Sequence, residues 1–117
     1  MENYLDLIKL VLPQFIVDHF DLIKSTKETK VLHLFFEERN IPPQEESNKV
    51  LISNGFHKEV TIQDFPMRSK TVFLHIKRRR WLDKNTGEVI QRNWSLVAQG
   101  TRMTTEFAAF LKGINQY

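Results

Sequence analysis

Thr71-Val72-Phe73-Leu74-His75-Ile76-Lys77-Arg78-Arg79-Arg80-Trp81 decides how this chain is read. Apart from His75, its first six residues are β-branched, aromatic or aliphatic, the composition of a strand. Four cations and an indole follow without a break. Side chains alternate along a strand, so Arg78 and Arg80 share the face of Val72, Leu74 and Ile76, while Lys77, Arg79 and Trp81 share that of Phe73 and His75. Two charges go to each face. Such an end suits a hairpin laid along a phosphate backbone. A solvated hairpin end that discourages edge-to-edge pairing is the plainer alternative.

On either side of this strand the pattern stays β-like. Within Lys58 to Phe65, Val60 and Ile62 alternate with Thr61 and Gln63, and Pro66-Met67-Arg68-Ser69 turns the chain. Asp83-Lys84-Asn85-Thr86-Gly87 reads as a hairpin loop, with Gly87 suited to a left-handed position. Glu88 to Leu96 then returns, which makes an antiparallel meander. Lys84 falls at the tip near Arg80, and Arg92 lies across the hairpin. The expected nucleic-acid contacts are therefore Lys77, Arg78, Arg79, Arg80, Lys84 and Arg92, with Arg68 and Lys70 in the same half. Trp81 and Trp94 flank the hairpin and read as a cross-strand pair or as core, in preference to base-stacking platforms.

Towards the N-terminus, Tyr4, Leu5, Ile8, Val11, Leu12 and Phe15 recur at helical spacing. Residues 3–19 are expected to be helical, with a kink near Leu12 because Pro13 removes an amide donor. Phe20-Asp21-Leu22-Ile23 and Val31-Leu32-His33-Leu34-Phe35-Phe36 flank a polar turn, the pattern of a β-hairpin. Both faces of the second segment are largely apolar, so it is expected to be covered on both sides. Asn40 to Lys49, with Pro42-Pro43, reads as a connection. At the other end Phe107, Phe110, Leu111 and Ile114 mark a helix that Thr104 or Thr105 can cap. The fold class is α+β: N-terminal helix, hairpin, antiparallel meander with a basic hairpin, and C-terminal helix.

The 117 residues, 41% hydrophobic and including nine Phe, suit one domain with a real core. An internal boundary, if there is one, falls at residues 40–50, where the charge changes sign. Residues 1–50 carry six Lys/Arg against nine Asp/Glu, and residues 51–117 carry eleven against five. The halves are thus −3 and +6, and the basic one is the expected contact surface for a polyanion.

With no cysteine, disulfides and thiolate metal sites are excluded. No apolar run reaches a membrane-spanning length, and the acidic start lacks the basic residues of a signal peptide, so a cytoplasmic protein is expected. His19, His33, His57 and His75 show no metal-ligand spacing. Glu37-Glu38 and Glu45-Glu46 are adjacent pairs that point apart on a strand. No phosphate-cradling glycine loop or nucleophile–base arrangement is present, so no catalytic residue, metal or cofactor is expected.

Gly55-Phe56-His57, Asp64-Phe65-Pro66 and Val72 through Trp81 together resemble the N-terminal region of insertion-sequence transposases of the ISL-three-like family. Gly100-Thr101-Arg102-Met103-Thr104-Thr105-Glu106-Phe107 resembles that family's entry into its next helix. The likeness covers roughly residues 55–110 and is most specific from Asp64 to Trp81. In that family a zinc ribbon precedes a helix-turn-helix and a catalytic DDE domain. Here the positions of the zinc cysteines, within Gln44 to Val50 and Leu82 to Gly87, hold none, and zinc is not expected. The resemblance implies a stand-alone N-terminal protein that binds duplex DNA at the element's terminal inverted repeats. Strand cleavage would come from a separate DDE transposase subunit. The rival reading is a protein-interaction module, in which the acidic half or Val31 to Phe36 docks that subunit or a second copy as a homodimer. A nucleic-acid-binding regulatory domain is the third.

Overall fold

The computed structural model describes residues 10–114. The helix expected over residues 3–19 lies partly outside them. Its described part breaks at Leu12-Pro13, as the missing proline amide requires, and resumes as α1, Gln14–His19. Arg39 holds the end of this short helix. Its guanidinium donates to the carbonyls of Val17, Asp18 and Phe20 and pairs with Asp21 at 3.0 Å.

β1 (Phe20–Lys27) and β2 (Val31–Glu38) form the expected hairpin, and β4 (Val60–Met67) and β5 (Lys70–Lys77) form a second. The two join through β2 and β5 into one four-stranded sheet of order β1-β2-β5-β4. That seam is parallel, with Val31 opposite Thr71 and Glu37 opposite Lys77. A second sheet of order β3-β6-β7 contains β3 (Leu51–Phe56), β6 (Arg79–Asp83) and β7 (Val89–Ile90).

The class is α+β, but the meander is divided. The long strand stops at Lys77 and resumes at Arg79 in the other sheet. The burial phase slips with it: Val72, Leu74, Ile76 and Arg78 are buried, then Trp81 and Asp83. The expected division of the four charges between two faces therefore holds only as far as Arg78. β3 runs through Asn54-Gly55. Gly55 adopts φ 74° where the β3–β6 register shifts, so the glycine makes a bulge inside a strand. The expected return strand Glu88 to Leu96 is only two residues long. Asn93 ends it by accepting the Leu96 amide at 3.0 Å and capping α2, Trp94–Gln99. The turn before β7 is as read: Gly87 has φ 74° and its amide reaches the Asp83 carbonyl at 2.8 Å. α3, Thr105–Ile114, follows, with Thr104 Oγ1 accepting the Phe107 amide.

The helices pack on one face of the four-stranded sheet. Leu34, Phe36, Val60, Ile62, Val72, Leu74 and Ile76 from the strands meet Phe15, Ile16, Trp94, Phe107 and Phe110. Removing these side chains from water supplies most of the folding drive. Where α3 meets β4, Asp64 and Glu106 are buried together. Burial pushes the Asp64 carboxyl up, the Phe65 amide pulls it back, and the neighbouring Glu106 raises it further. A raised acid contributes stability below its unfolded-state pKa, and that contribution is lost as pH rises through the folded value. Asp64→Asn is therefore expected to raise the melting temperature at pH 8. The gain should vanish below the ordinary Asp value of 3.8. Thermal melts across pH check this, and a gain that grew on acidification would contradict it.

The β4–β5 turn is strained. Arg68 and Ser69 both take positive φ, 48° and 64°, in a two-residue connection that favours Asn-Gly. Ser69→Gly is expected to stabilise the fold by roughly 1 kcal/mol, read from urea unfolding.

Candidate nucleic-acid interface

The expected contacts do not form one patch. β5 separates them by about 25 Å, eight residues at strand rise. Because β2 and β5 are parallel, the turns that precede them lie at the same end of the sheet. Exposed Lys27, Lys30 and Arg68 gather there with half-buried Lys70. Lys70 Nζ donates to the Thr29 carbonyl at 2.6 Å and ties the two turns together. Lys77, Arg78, Arg79, Arg80, Lys84 and Arg92 belong to the other end.

There the arginines are largely engaged in structure. Glu38 is 1% exposed. Its Oε2 accepts from Arg92 Nε at 2.7 Å, and its Oε1 accepts from the Arg79 amide at 3.0 Å. Arg79 Nε reaches the Glu38 carbonyl, and Arg79 NH1 reaches Ser53 Oγ. The Arg79 guanidinium also lies over the Phe56 ring. Arg92 donates a second bond to the Ile41 carbonyl and lies between Trp81 and Trp94, 5.9 Å from each ring. Burial pushes the Glu38 carboxyl up, while Arg92 and the Arg79 amide pull it back down. The clamp fastens the end of β2 to the start of β6, where the chain changes sheets. Both indoles are core, as one reading had it, and they are not a cross-strand pair. Trp81 Nε1 donates to Asn40 Oδ1 at 2.9 Å.

Arg78 is buried on the helical side. Arg80 and Lys77 are half-buried, and Lys84 and Arg68 are exposed. Burial, with Arg78 and Arg80 nearby, pulls His57 below the usual imidazole value.

The outer face of the four-stranded sheet lies opposite the helices. The sequence leads one to expect β2 covered on both sides, yet His33 and Phe35 are only half-buried. Strand registers place Thr26, His33, Phe73 and Gln63 in one row and Lys24, Phe35, His75 and Thr61 in the next. Lys77 lies one row further, opposite Glu37. The four rings form a continuous stack. Phe35 and His75 are 4.4 Å apart and nearly parallel, His75 and His33 are 5.0 Å apart, and His33 and Phe73 are 5.6 Å apart. Lys24 Nζ lies 4.6 Å from the Phe35 centroid. His33 Nδ1 and His75 Nε2 are 2.8 Å apart, a contact that holds one shared proton. His75 Nδ1 lies 3.0 Å from Thr61 Oγ1 and 3.2 Å from Glu59 Oε1. Among the described residues no three His, Asp or Glu side chains are arranged to hold a metal ion.

Sequence reasoning missed Lys24, His33, Phe35, Phe73 and His75 as a group. Alternation puts His33 with Phe35 and Phe73 with His75, but only the β2–β5 pairing joins them. Among the described residues no helix is long and apolar enough to cross a membrane. No protein-family model, curated protein or solved structure matches the chain.

Proposed function

We propose that this chain binds duplex DNA as the N-terminal accessory protein of a transposase, at the terminal inverted repeats of its element, and that strand cleavage comes from a separate DDE subunit. The observation that carries DNA binding is the outer sheet face: a ring stack on two central strands, with Lys24 and Lys77 on the face and cations at both strand ends. Lys24 and Lys77 on the face and the lysines at the ends can hold phosphates, and Gln63 and His33, whose Nε2 lies outside the His33–His75 contact, carry groups that hydrogen-bond base edges. The pole-to-pole distance of about 25 Å corresponds to roughly seven base-pair steps of 3.4 Å. The resemblance over residues 55–110 supplies the target.

A gel shift with the terminal repeats against scrambled duplex, over a salt series, tests this. About five neutralised phosphates give a slope of log K against log salt near −4 to −5. Lys24→Ala with Lys77→Ala is expected to reduce that slope by about 2 and to leave folding intact. No binding at low salt, or an unchanged slope in the double variant, would sink the reading. The protein-docking alternative uses the same face; salt-independent capture of the catalytic subunit, with no duplex shift, would favour it.

A further inference from the structure

We propose that the cleft between the end of β5 and α2 is a binding site for a phosphate group. It measures about 370 Å3 and is walled by Arg78, Gln91, Arg92, Trp94, Ser95 and Glu46, among others. Its polar character is that of a donor wall. Arg78 is 7% exposed, carries five N–H donors, and makes one long contact, 3.4 Å from NH1 to Gln91 Oε1. Its Nε has no acceptor among the described residues. Trp94 is 3% exposed, and its indole N–H also has none among the described residues. Buried donors without acceptors are rare in folded proteins, because each leaves its lost hydration uncompensated.

Burial works against the Arg78 charge, and Glu38 is the carboxylate that favours it. Glu38 is nevertheless occupied by Arg92 and the Arg79 amide. Glu46, the carboxylate in the cleft wall, is paired with Lys49 at 2.7 Å. What would complete the site is an anionic group that only accepts. The Arg78 guanidinium and the Ser95 hydroxyl, with the Trp94 indole in the same wall, suit the several oxygens of a phosphate. The cleft is larger than the bare ion and leaves room for its ester substituents. A free phosphate ester and a DNA backbone phosphate share this chemistry.

The two tryptophans make the test internal. Uniformly 15N-labelled full-length protein is titrated at constant ionic strength with inorganic phosphate, thymidine 5′-monophosphate, a ten-base-pair duplex, and sodium chloride or acetate as controls. The Trp94 indole N–H resonance is expected to move saturably with phosphate, while that of Trp81, already bonded to Asn40, stays in place. Ser95→Asp puts a negative charge at an exposed position of the cleft and is expected to weaken phosphate binding at least tenfold with an otherwise unchanged spectrum. Arg78→Gln should abolish it. Duplex that displaces phosphate from the Trp94 site assigns the site to the DNA backbone. Movement with phosphate and nucleotide alone assigns it to a free ester. A Trp94 resonance that is still with every phosphate probe, or that moves equally with acetate or chloride, overturns the proposal. Because the cleft is on the helical side, duplex-induced shifts at His33, Phe35, Phe73 and His75 with Trp94 unmoved would reject this site and leave the outer-face reading standing.

Discussion

Glu38→Ala is expected to remove about 3–5 kcal/mol of stability, the usual cost of breaking a buried ion pair by deleting one partner. The side chain of Glu38 is fully enclosed and that of Arg92 is 13% exposed, so neither can be rescued cheaply by water. Deletion strands the Arg92 guanidinium between two indoles and leaves the Arg79 amide without its acceptor. It also unfastens β2 from β6 where the chain crosses between sheets. A domain of this size has about 5–15 kcal/mol in total, so the variant should be partly unfolded at moderate temperature. Urea unfolding measures the loss, and Glu38→Gln, which keeps one acceptor, should lose less. A loss under about 1 kcal/mol would show that the clamp is dispensable. The corollary concerns Arg79 and Arg92: their replacement should weaken the proposed DNA binding through loss of fold, so they are poor probes of contact. Lys24, Lys77 and Lys84 are better ones.

Phe110→Ala is expected to cost a comparable 3–5 kcal/mol, for a different reason. Phe110 is fully buried and is the point where the helical layer converges. Its ring meets Phe15 of α1 at 5.1 Å, Phe20 at the start of β1 at 6.2 Å, Trp94 of α2 at 5.1 Å and Phe107 of α3 at 6.3 Å. Truncation leaves a void among rings that cannot collapse together, because each is fixed by a separate element. Phe110→Leu, which fills much of that space, should recover part of the loss. Equal melting temperatures for Phe110→Ala and the parent protein would mean that the helices do not pack as described.

Local signals carried most of the element list. Pro13, the Asp83–Gly87 turn and the spacing of Phe107, Phe110 and Ile114 each act within a few residues, and each appears where its chemistry requires. Sequence reasoning missed α2, although Asn93 before Trp94 and Gly100 after Gln99 are helix-boundary residues, because the β-like return from Glu88 is read through to Leu96. The division of the long strand was not legible. Its cause is Glu38, some forty residues earlier, whose carboxylate fixes the Arg79 amide. For the same reason the Lys77–Arg80 run, which reads as one surface feature, is spread among a clamp, a buried cleft and a solvent face. The outer ring stack depends on which strand lies beside which, and periodicity along a single strand does not encode that.

The parallel seam between β2 and β5 also has a consequence in time. Each hairpin closes through a short turn and can form early from neighbouring residues. The seam instead pairs Val31 with Thr71 and Glu37 with Lys77, bringing together segments forty residues apart. Joining two preformed hairpins along such a seam is the long-range event that sets the folding rate. Until it happens the inward edge of each hairpin is an unpaired strand, so the exposure of this chain to misassembly is concentrated in the interval before β2 finds β5.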